Sequence, residues 1–223
     1  MIAVIVPAHD EARVIARCLQ SVAVAANHPR LEGERVLTVV ALDDCSDDTA
    51  SICAAHGAAT VVLAERCVGA ARAAAASHAL ALGARWIAST DADTVVPPDW
   101  LWKQSSCSAD AFCGVVDVVD WLDYPDAVRT AFAQREETRD GHQRIHGANM
   151  GFSAATYLAA GGFAPLSTGE DVALVNAMKG IQAAIAWLAE PMVATSARRV
   201  SRAPCGFGAF LLALEHEVMG AGI

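Results

Sequence analysis

The amino-acid order predicts an α/β fold, a mostly parallel central sheet flanked by helices, and three observations carry that reading. Apolar runs of strand length alternate with helical periodicities four times in about ninety residues. The connections between them are short, as in parallel strands joined by crossover helices. Three strand ends also carry carboxylates, and open α/β sheets bind ligands at the carboxyl ends of their strands.

The first strand is Ile2 to Val6, an apolar and largely β-branched run closed by Pro7, as expected of a strand covered on both faces. Glu11 to Ala26 follows, with Val14, Ile15, Cys18, Leu19 and Val22 at helical spacing. Val36 to Leu42 is a second buried strand. The acidic loop Asp43 to Thr49 then offers Ser46 or Asp47 as cap for a helix carrying Ile52 and Cys53. Thr60 to Leu63 is a short third strand. Ala70 to Leu82 is a helix stopped by Gly83. Trp86 to Ser89 is the fourth strand and runs into Asp91-Ala92-Asp93. Pro97-Pro98 opens a helix through Trp100 and Leu101. Ala111 to Val119 reads as one further strand and Pro125 to Arg139 as a charged helix. From Gly147 the pattern shortens and grows richer in glycine.

Composition bounds the function classes. The chain has 223 residues, 54% hydrophobic and 18% charged, which is enough to bury a core without staples, and no linker or repeat divides it. A formal net charge of -9 argues against a nucleic-acid partner, which needs a basic face to neutralise phosphates. The seven cysteines show no C-x-x-C spacing and read as reduced thiols. No apolar run approaches the roughly 20 residues of a membrane span. Residues 1–7 lack the basic lead of a signal peptide. The expectation is a cytoplasmic chain without a transmembrane segment, with peripheral contact to a membrane surface left open and no oligomeric state implied.

The sharpest motif is Ser89-Thr90-Asp91-Ala92-Asp93-Thr94. In extended chain, residues two apart point the same way. Asp91 and Asp93 can therefore both approach one Mg²⁺ or Mn²⁺, or one can hold the metal while the other meets a ribose or a metal-bound water. Arg198-Arg199 with Arg202 is the only dense basic cluster in this acidic sequence, and arginine suits bidentate phosphate contacts.

Two further segments bring a family into view. Val4-Ile5-Val6-Pro7-Ala8-His9-Asp10-Glu11-Ala12 and Ala41-Leu42-Asp43-Asp44-Cys45-Ser46-Asp47-Asp48-Thr49 come first. Gly69-Ala70-Ala71-Arg72, the Asp-x-Asp strand, Gly147-Ala148-Asn149-Met150-Gly151-Phe152, Gly161-Gly162-Phe163 and Gly169-Glu170-Asp171 follow in order. In that order they resemble the family 2 glycosyltransferases and their A-type nucleotide-diphospho-sugar transferase fold, across roughly residues 2 to 180.

The resemblance implies transfer of a sugar, most readily from a uridine-diphosphate sugar, to an acceptor hydroxyl whose bearer the motifs do not identify. It implies a single domain, with 1–96 as the nucleotide-sugar and metal-binding half and 97–223 facing the acceptor. Nucleotide contacts would fall at Pro7, Ala8, Glu11, Asp44, Arg72 and Asp91, with Asp44 taking a hydrogen bond from the base. Asp93, with Asp91, would hold Mn²⁺ or Mg²⁺. Asp171 would be the general base of an inverting transfer. His146, Asn149, Glu170, Arg198, Arg199 and Arg202 would meet acceptor or phosphate. Asp10 stands where the family commonly has Asn, Cys45 where Gly is common, and Ala73 where Asn often follows the Arg. The Gln-x-x-Arg-Trp sequence of processive relatives is absent, which points to single transfer.

Other classes fit less well. Asp91 also resembles the nucleophile of haloacid dehalogenase-like phosphatases, but that motif follows the first strand of its fold rather than the fourth. A nucleotidyltransferase would need a glycine-rich basic loop after the first strand, and a dinucleotide dehydrogenase a G-x-G-x-x-G there. A non-catalytic sugar-nucleotide binder would be marked by loss of the metal carboxylate or the base, and Asp93 and Asp171 are both present. Trp100 and Trp102 suit helix packing better than a ligand. His9 suits a solvated loop, and Trp121 and Tyr124 fit a core or a sugar face equally.

Overall fold

The opening apolar run forms β1 (Ile2–Ala8) in the middle of the sheet. In the computed structural model, which describes residues 1–136, 138–199 and 206–220, β1 pairs in parallel with β2 (Val36–Asp43) on one side and β4 (Trp86–Ser89) on the other. β3 (Ala59–Leu63) lies in parallel outside β2. Beyond β4 come β7 (Met150–Ser153), β5 (Ala111–Cys113) and β8 (Ile185–Trp187), so the order is β3-β2-β1-β4-β7-β5-β8. β7 runs against both of its neighbours, while the other pairs in this sheet are parallel. The chain leaves β3 at one edge and re-enters at β4 on the far side of β1. A crevice therefore opens between the ends of β1 and β4, where the strand order reverses.

Side-chain alternation along β1 divides the interior. Ile2, Val4 and Val6 pack with α1 (Ile15–Ala26), α2 (Thr49–Ala55) and α4 (Trp100–Ser105). Ala3 and Ile5 pack with α3 (Val68–Ala81), α6 (Ala154–Ala159) and α7 (Glu170–Gly180). Each buried Val or Ile contributes roughly 1.5–3 kcal/mol. α3 lays a strip of small residues, Ala71, Ala75, Ala76 and Ala79, on the sheet, which lets its backbone come close. A third cluster joins α5 (Asp126–Arg135) to α8 (Phe207–Gly220) beside a small parallel pair, β6 (Val116–Val118) and β9 (Val193–Thr195).

Several boundaries differ from the sequence reading. The run Ala111 to Val119 is two strands in two sheets, because the side chain of Asn149 inserts at Gly114. A Cβ there would meet Asn149 Nδ2 at 2.3 Å, and that nitrogen donates to Val115 O at 2.8 Å. α1 starts at Ile15 rather than Glu11, since Glu11 O takes the N–H groups of Val14 and Ile15 to close a turn. The charged helix ends at Arg135, four residues early, and α4 starts at Trp100, after a turn closed on Pro97 O. The residue capping α2 is Asp48, without a side-chain bond. Asp47 instead bridges loops, accepting from Ala12 N and Thr49 N, each at 3.0 Å.

Candidate functional site

The ends of β1, β2 and β4 open into one cavity of about 600 Å³. Pro7, Ala8 and Glu11 line it. The turns after β1 and β2 pass through Asp10 and Asp44 in the left-handed region, at φ 51° and 53°. Aspartate tolerates that region when its short side chain bonds locally. Asp10 is held instead by the turn after β2, accepting from Ser46 N at 2.7 Å and Asp47 N at 3.2 Å across the two loops. Cys45, where glycine is common in relatives, points its thiol at Ala8 O, 3.3 Å away.

Asp43 and Asp44, adjacent in the chain, take different positions. Asp43 is on the cavity wall, buried, and accepts the N–H groups of Glu65, Arg66 and Cys67 at 2.7–2.9 Å, so it shapes the loop before α3. Asp44 is exposed, lies off the wall and pairs with Arg66 Nε at 2.5 Å. Arg66 itself reaches the wall.

Arg72, from the first half of α3, is the hub of the floor. Its side chain is 3% exposed. Its nitrogens reach Asp91 Oδ1 at 2.6 Å, Glu170 Oε1 at 3.0 Å, Ser89 Oγ at 2.5 Å and Gly147 O at 3.1 Å. Burial opposes its charge, but Asp91, Glu170 and Asp171 around it raise its pKa. Burial in turn raises the pKa of Glu170, against the pull of Arg72. Glycine at 147 leaves room for this guanidinium, because a Cβ there would sit 2.5 Å from Arg72 Nη2 and push it aside.

Asp93 is buried more deeply than Asp91. Its side chain is 9% exposed, and burial lifts its pKa to about 6 even though Arg198 pulls the other way. Arg198 Nε stands 3.2 Å from Asp93 Oδ2 while its Nη1 donates to Glu11 Oε2 at 2.6 Å. Among the described residues the wall carries seven carboxyl side chains against four guanidinium groups, a balance that favours a diphosphate arriving together with a cation. Among the described residues no three His, Cys, Asp or Glu side chains form a complete cage, and His146 joins no such group. Two carboxylates at one strand end nevertheless suit Mg²⁺ or Mn²⁺, which keep waters and draw remaining ligands from substrate phosphates. Arg72 engages Asp91 through Oδ1, and among the described residues no hydrogen bond reaches its Oδ2.

Asp171 stands at the start of α7, one residue past Glu170. Gly169 provides the left-handed cap at φ 74°. Asp171 Oδ1 accepts from Val172 N and Oδ2 from Gly147 N, each at 2.8 Å. The carboxylate is thus aimed by two backbone N–H groups at a helix N-terminus, where the dipole favours its charge. Beside it, His146 Nε2 is sealed from solvent with no hydrogen-bond partner among the described residues. Burial lowers the pKa of His146 to about 4, with Asp171 opposing, so the ring is neutral at pH 7. Phe207 meets this ring edge to face at 6.5 Å, and Phe207 and Phe210 make one end of the cavity aromatic.

The other residues read from the sequence go elsewhere. Asn149 is fully buried and off the wall, holding Trp100 Nε1, Val115 O and Pro191 O. Arg199 ties Asp123 to Glu215 and covers the Tyr124 ring at 4.2 Å. Arg202 lies outside the described residues. Trp100 packs in the core, as its helix pattern implied, and Trp102 stacks on His28. His9, read as a solvated loop residue, lines the cavity, with Nδ1 2.7 Å from Asp43 O. Asp43 is among the strand-end carboxylates that the sequence marks, whereas Arg66, Glu136, Phe207 and Phe210 are wall residues that the sequence reading missed. The Gly206-Phe207-Gly208 sequence after the arginine cluster was the one available signal for the aromatic end.

Solved structures share this architecture at low identity. S. aureus TarS 1-349 in complex with UDP-GlcNAc superposes with a TM-score of 0.67 at 15% identity, over 98% of this chain and 66% of that one. The mannosyltransferase PcManGT from Pyrobaculum calidifontis, in complex with GDP-Man and Mn²⁺, gives 0.65 at 18% identity over 100% and 64%. Glucosyl-3-phosphoglycerate synthase from Mycobacterium tuberculosis, in complex with Mn²⁺, UDP and glucosyl-3-phosphoglycerate, gives 0.61 at 16% over 98% and 77%. The chain spans 60% of another TarS 1-349 structure and 36% of a further TarS structure. No curated protein sequence matches it. The glycosyl transferase family 2 model matches residues 3–156, from β1 through the carboxylates that follow β4 to β7 and the start of α6. With the strand order and the acidic crevice in agreement, the chain belongs to glycosyl transferase family 2.

Proposed function

We propose that this chain transfers a sugar from a nucleotide-diphosphate sugar, preferably a uridine one, to an acceptor hydroxyl, with inversion at the anomeric carbon. The observation that carries the reading is the meeting of Asp91, Asp93 and Asp171 on the wall of one cavity at the reversal of strand order. A reading of the three as isolated surface carboxylates does not account for Arg72, a buried cation that orients Asp91 and Glu170 together. The fold shared with proteins solved with UDP-GlcNAc, with GDP-Man and Mn²⁺, or with UDP and Mn²⁺ supports a nucleotide-sugar donor.

In this reading Pro7, Ala8 and Glu11 border the nucleoside, and Asp44 takes the base imide N–H after parting from Arg66. Asp93, with Asp91, holds Mn²⁺ or Mg²⁺, which when bound neutralises charge on the leaving diphosphate. Asp171 accepts the proton of the acceptor hydroxyl. The acceptor oxygen then forms its bond to the anomeric carbon as the bond to the diphosphate oxygen breaks on the opposite face. Positioning and charge neutralisation supply most of the acceleration. The aromatic end, with Phe207, Phe210 and His146, receives the acceptor.

Asp171→Asn tests the assignment. It keeps the shape and one acceptor oxygen, gives up one of the two backbone N–H bonds, and cannot take a proton. The variant should bind UDP as the wild type does and lose transfer from UDP-sugars by about a hundredfold or more. Turnover near the wild-type rate would overturn the inverting mechanism. Absence of any turnover in the wild type across an acceptor screen, with UDP still bound, would favour a non-catalytic sugar-nucleotide binder.

A further inference from the structure

Arg198 stands where two buried carboxylates from two different strand ends converge. Glu11 follows β1 and Asp93 follows β4, with side chains 6% and 9% exposed. The guanidinium gives Nη1 to the first at 2.6 Å and Nε to the second at 3.2 Å. It thus neutralises the carboxylate that the proposed function assigns to the cation. The backbone that carries it is anchored on both sides. Arg198 N donates to Ser196 Oγ at 3.2 Å, just past β9. Arg199, the next residue, is bound to Asp123 and Glu215 and lies over Tyr124. A move of Arg198 is therefore a move of its side chain, and that side chain, 31% exposed on the cavity wall, has room to make it.

We propose that Arg198 is an exchangeable counter-ion that keeps a metal ion from Asp93 until a nucleoside diphosphate arrives, and then turns to the phosphates. The proposal rests on the donor reading above and adds the order in which the site loads. Metal alone would take Asp93 from a partly buried guanidinium and leave it only Glu11, with one side of its fork unpaired and a second cation close by, which is unfavourable. A diphosphate supplies the missing anion, and the planar fork of arginine binds phosphate oxygens in pairs. Metal and nucleotide then help each other to bind, by reciprocal coupling. Arg198 is a positioning residue in this scheme, since it acts through Asp93 and Glu11 as well as on the donor.

The test is Mn²⁺ binding followed by electron paramagnetic resonance and calorimetry, with and without UDP, for the wild type, Arg198→Gln and Arg198→Lys. In the wild type, UDP should tighten Mn²⁺ about tenfold or more. Arg198→Gln should bind Mn²⁺ alone about tenfold more tightly than wild type and UDP with Mn²⁺ more weakly, so that the coupling largely disappears. Arg198→Lys keeps the charge and guards against a folding defect in the first variant. It should exclude Mn²⁺ alone as the wild type does. Unchanged Mn²⁺ affinity in Arg198→Gln, with UDP and Mn²⁺ binding normally to wild type, would overturn this proposal alone. A gain in Mn²⁺ affinity of equal size in both variants would also overturn it. If UDP and Mn²⁺ together fail to bind the wild type, the donor reading falls and this proposal falls with it.

Discussion

Arg72 shows how much a single residue can be legible and illegible at once. The Gly-x-Ala-Arg pattern marks it, yet its partners lie 17, 19, 75 and 98 positions away in the chain, and nothing local announces them. The same holds for Asp43 and Asp44, adjacent carboxylates of which one is spent on three backbone N–H groups and the other is exposed. His146 offers a prediction at this scale. Its folded pKa is depressed to about 4, so between there and its ordinary value near 6.5 the unfolded chain binds the proton and the folded one does not. Stability is then full above pH 6.5 and is lost as the pH falls toward 4. From pH 7 to pH 5 the wild type should lose about 2 kcal/mol more than His146→Gln, which has no proton to gain. Urea unfolding of both at the two pH values measures this, and equal losses would show that the ring is not held neutral.

At the scale of elements, the strands β1 to β4 were read within two residues because each is a short apolar run bounded by turn residues. The split at Gly114 was not, because Ala111 to Val119 is apolar throughout and only a distant asparagine divides it. Helix starts were placed early where a loop turn precedes the helix, as at Glu11 and Pro97. The entry to α3 carries a prediction. Gly69 N donates to Leu166 O at 3.0 Å, and a Cβ on residue 69 would lie 2.1 Å from Ala164 O and 2.8 Å from Leu166 N. Backbone cannot give way as a side chain does. Gly69→Ala should therefore cost about 3 kcal/mol. It should also weaken UDP binding, because the first turn of α3 places Arg72. A wild-type urea midpoint for this variant would show that the 164–166 loop is free to move.

For the whole molecule, one sheet joins β1 to β4 with β5, β7 and β8, so the cavity is walled by residues from both ends of the chain. Among the described residues no helix is long and apolar enough to cross a membrane. A ligand held at that junction should stabilise the entire fold. UDP with Mn²⁺ at a hundred times the dissociation constant should add about 2.7 kcal/mol, or roughly 5–10 °C in a chain of this size. Mn²⁺ alone should add far less if Arg198 holds Asp93. A thermal scan reads both, and an unchanged midpoint with UDP and Mn²⁺ would count against binding at the junction. The amino-acid sequence by itself determined the alternation of strands and helices, the acidic strand ends and the order of the motifs. These are local: a strand buried on both faces must be continuously apolar, and a motif is contiguous in the chain. Only the tertiary structure decided which carboxylates face the cavity, that Arg72 and Arg198 neutralise them, that Asn149 is scaffold, and that Phe207 and Phe210 close one end. Those outcomes depend on contacts between distant segments, and a pairwise electrostatic or packing choice among many carboxylates leaves no periodicity to read.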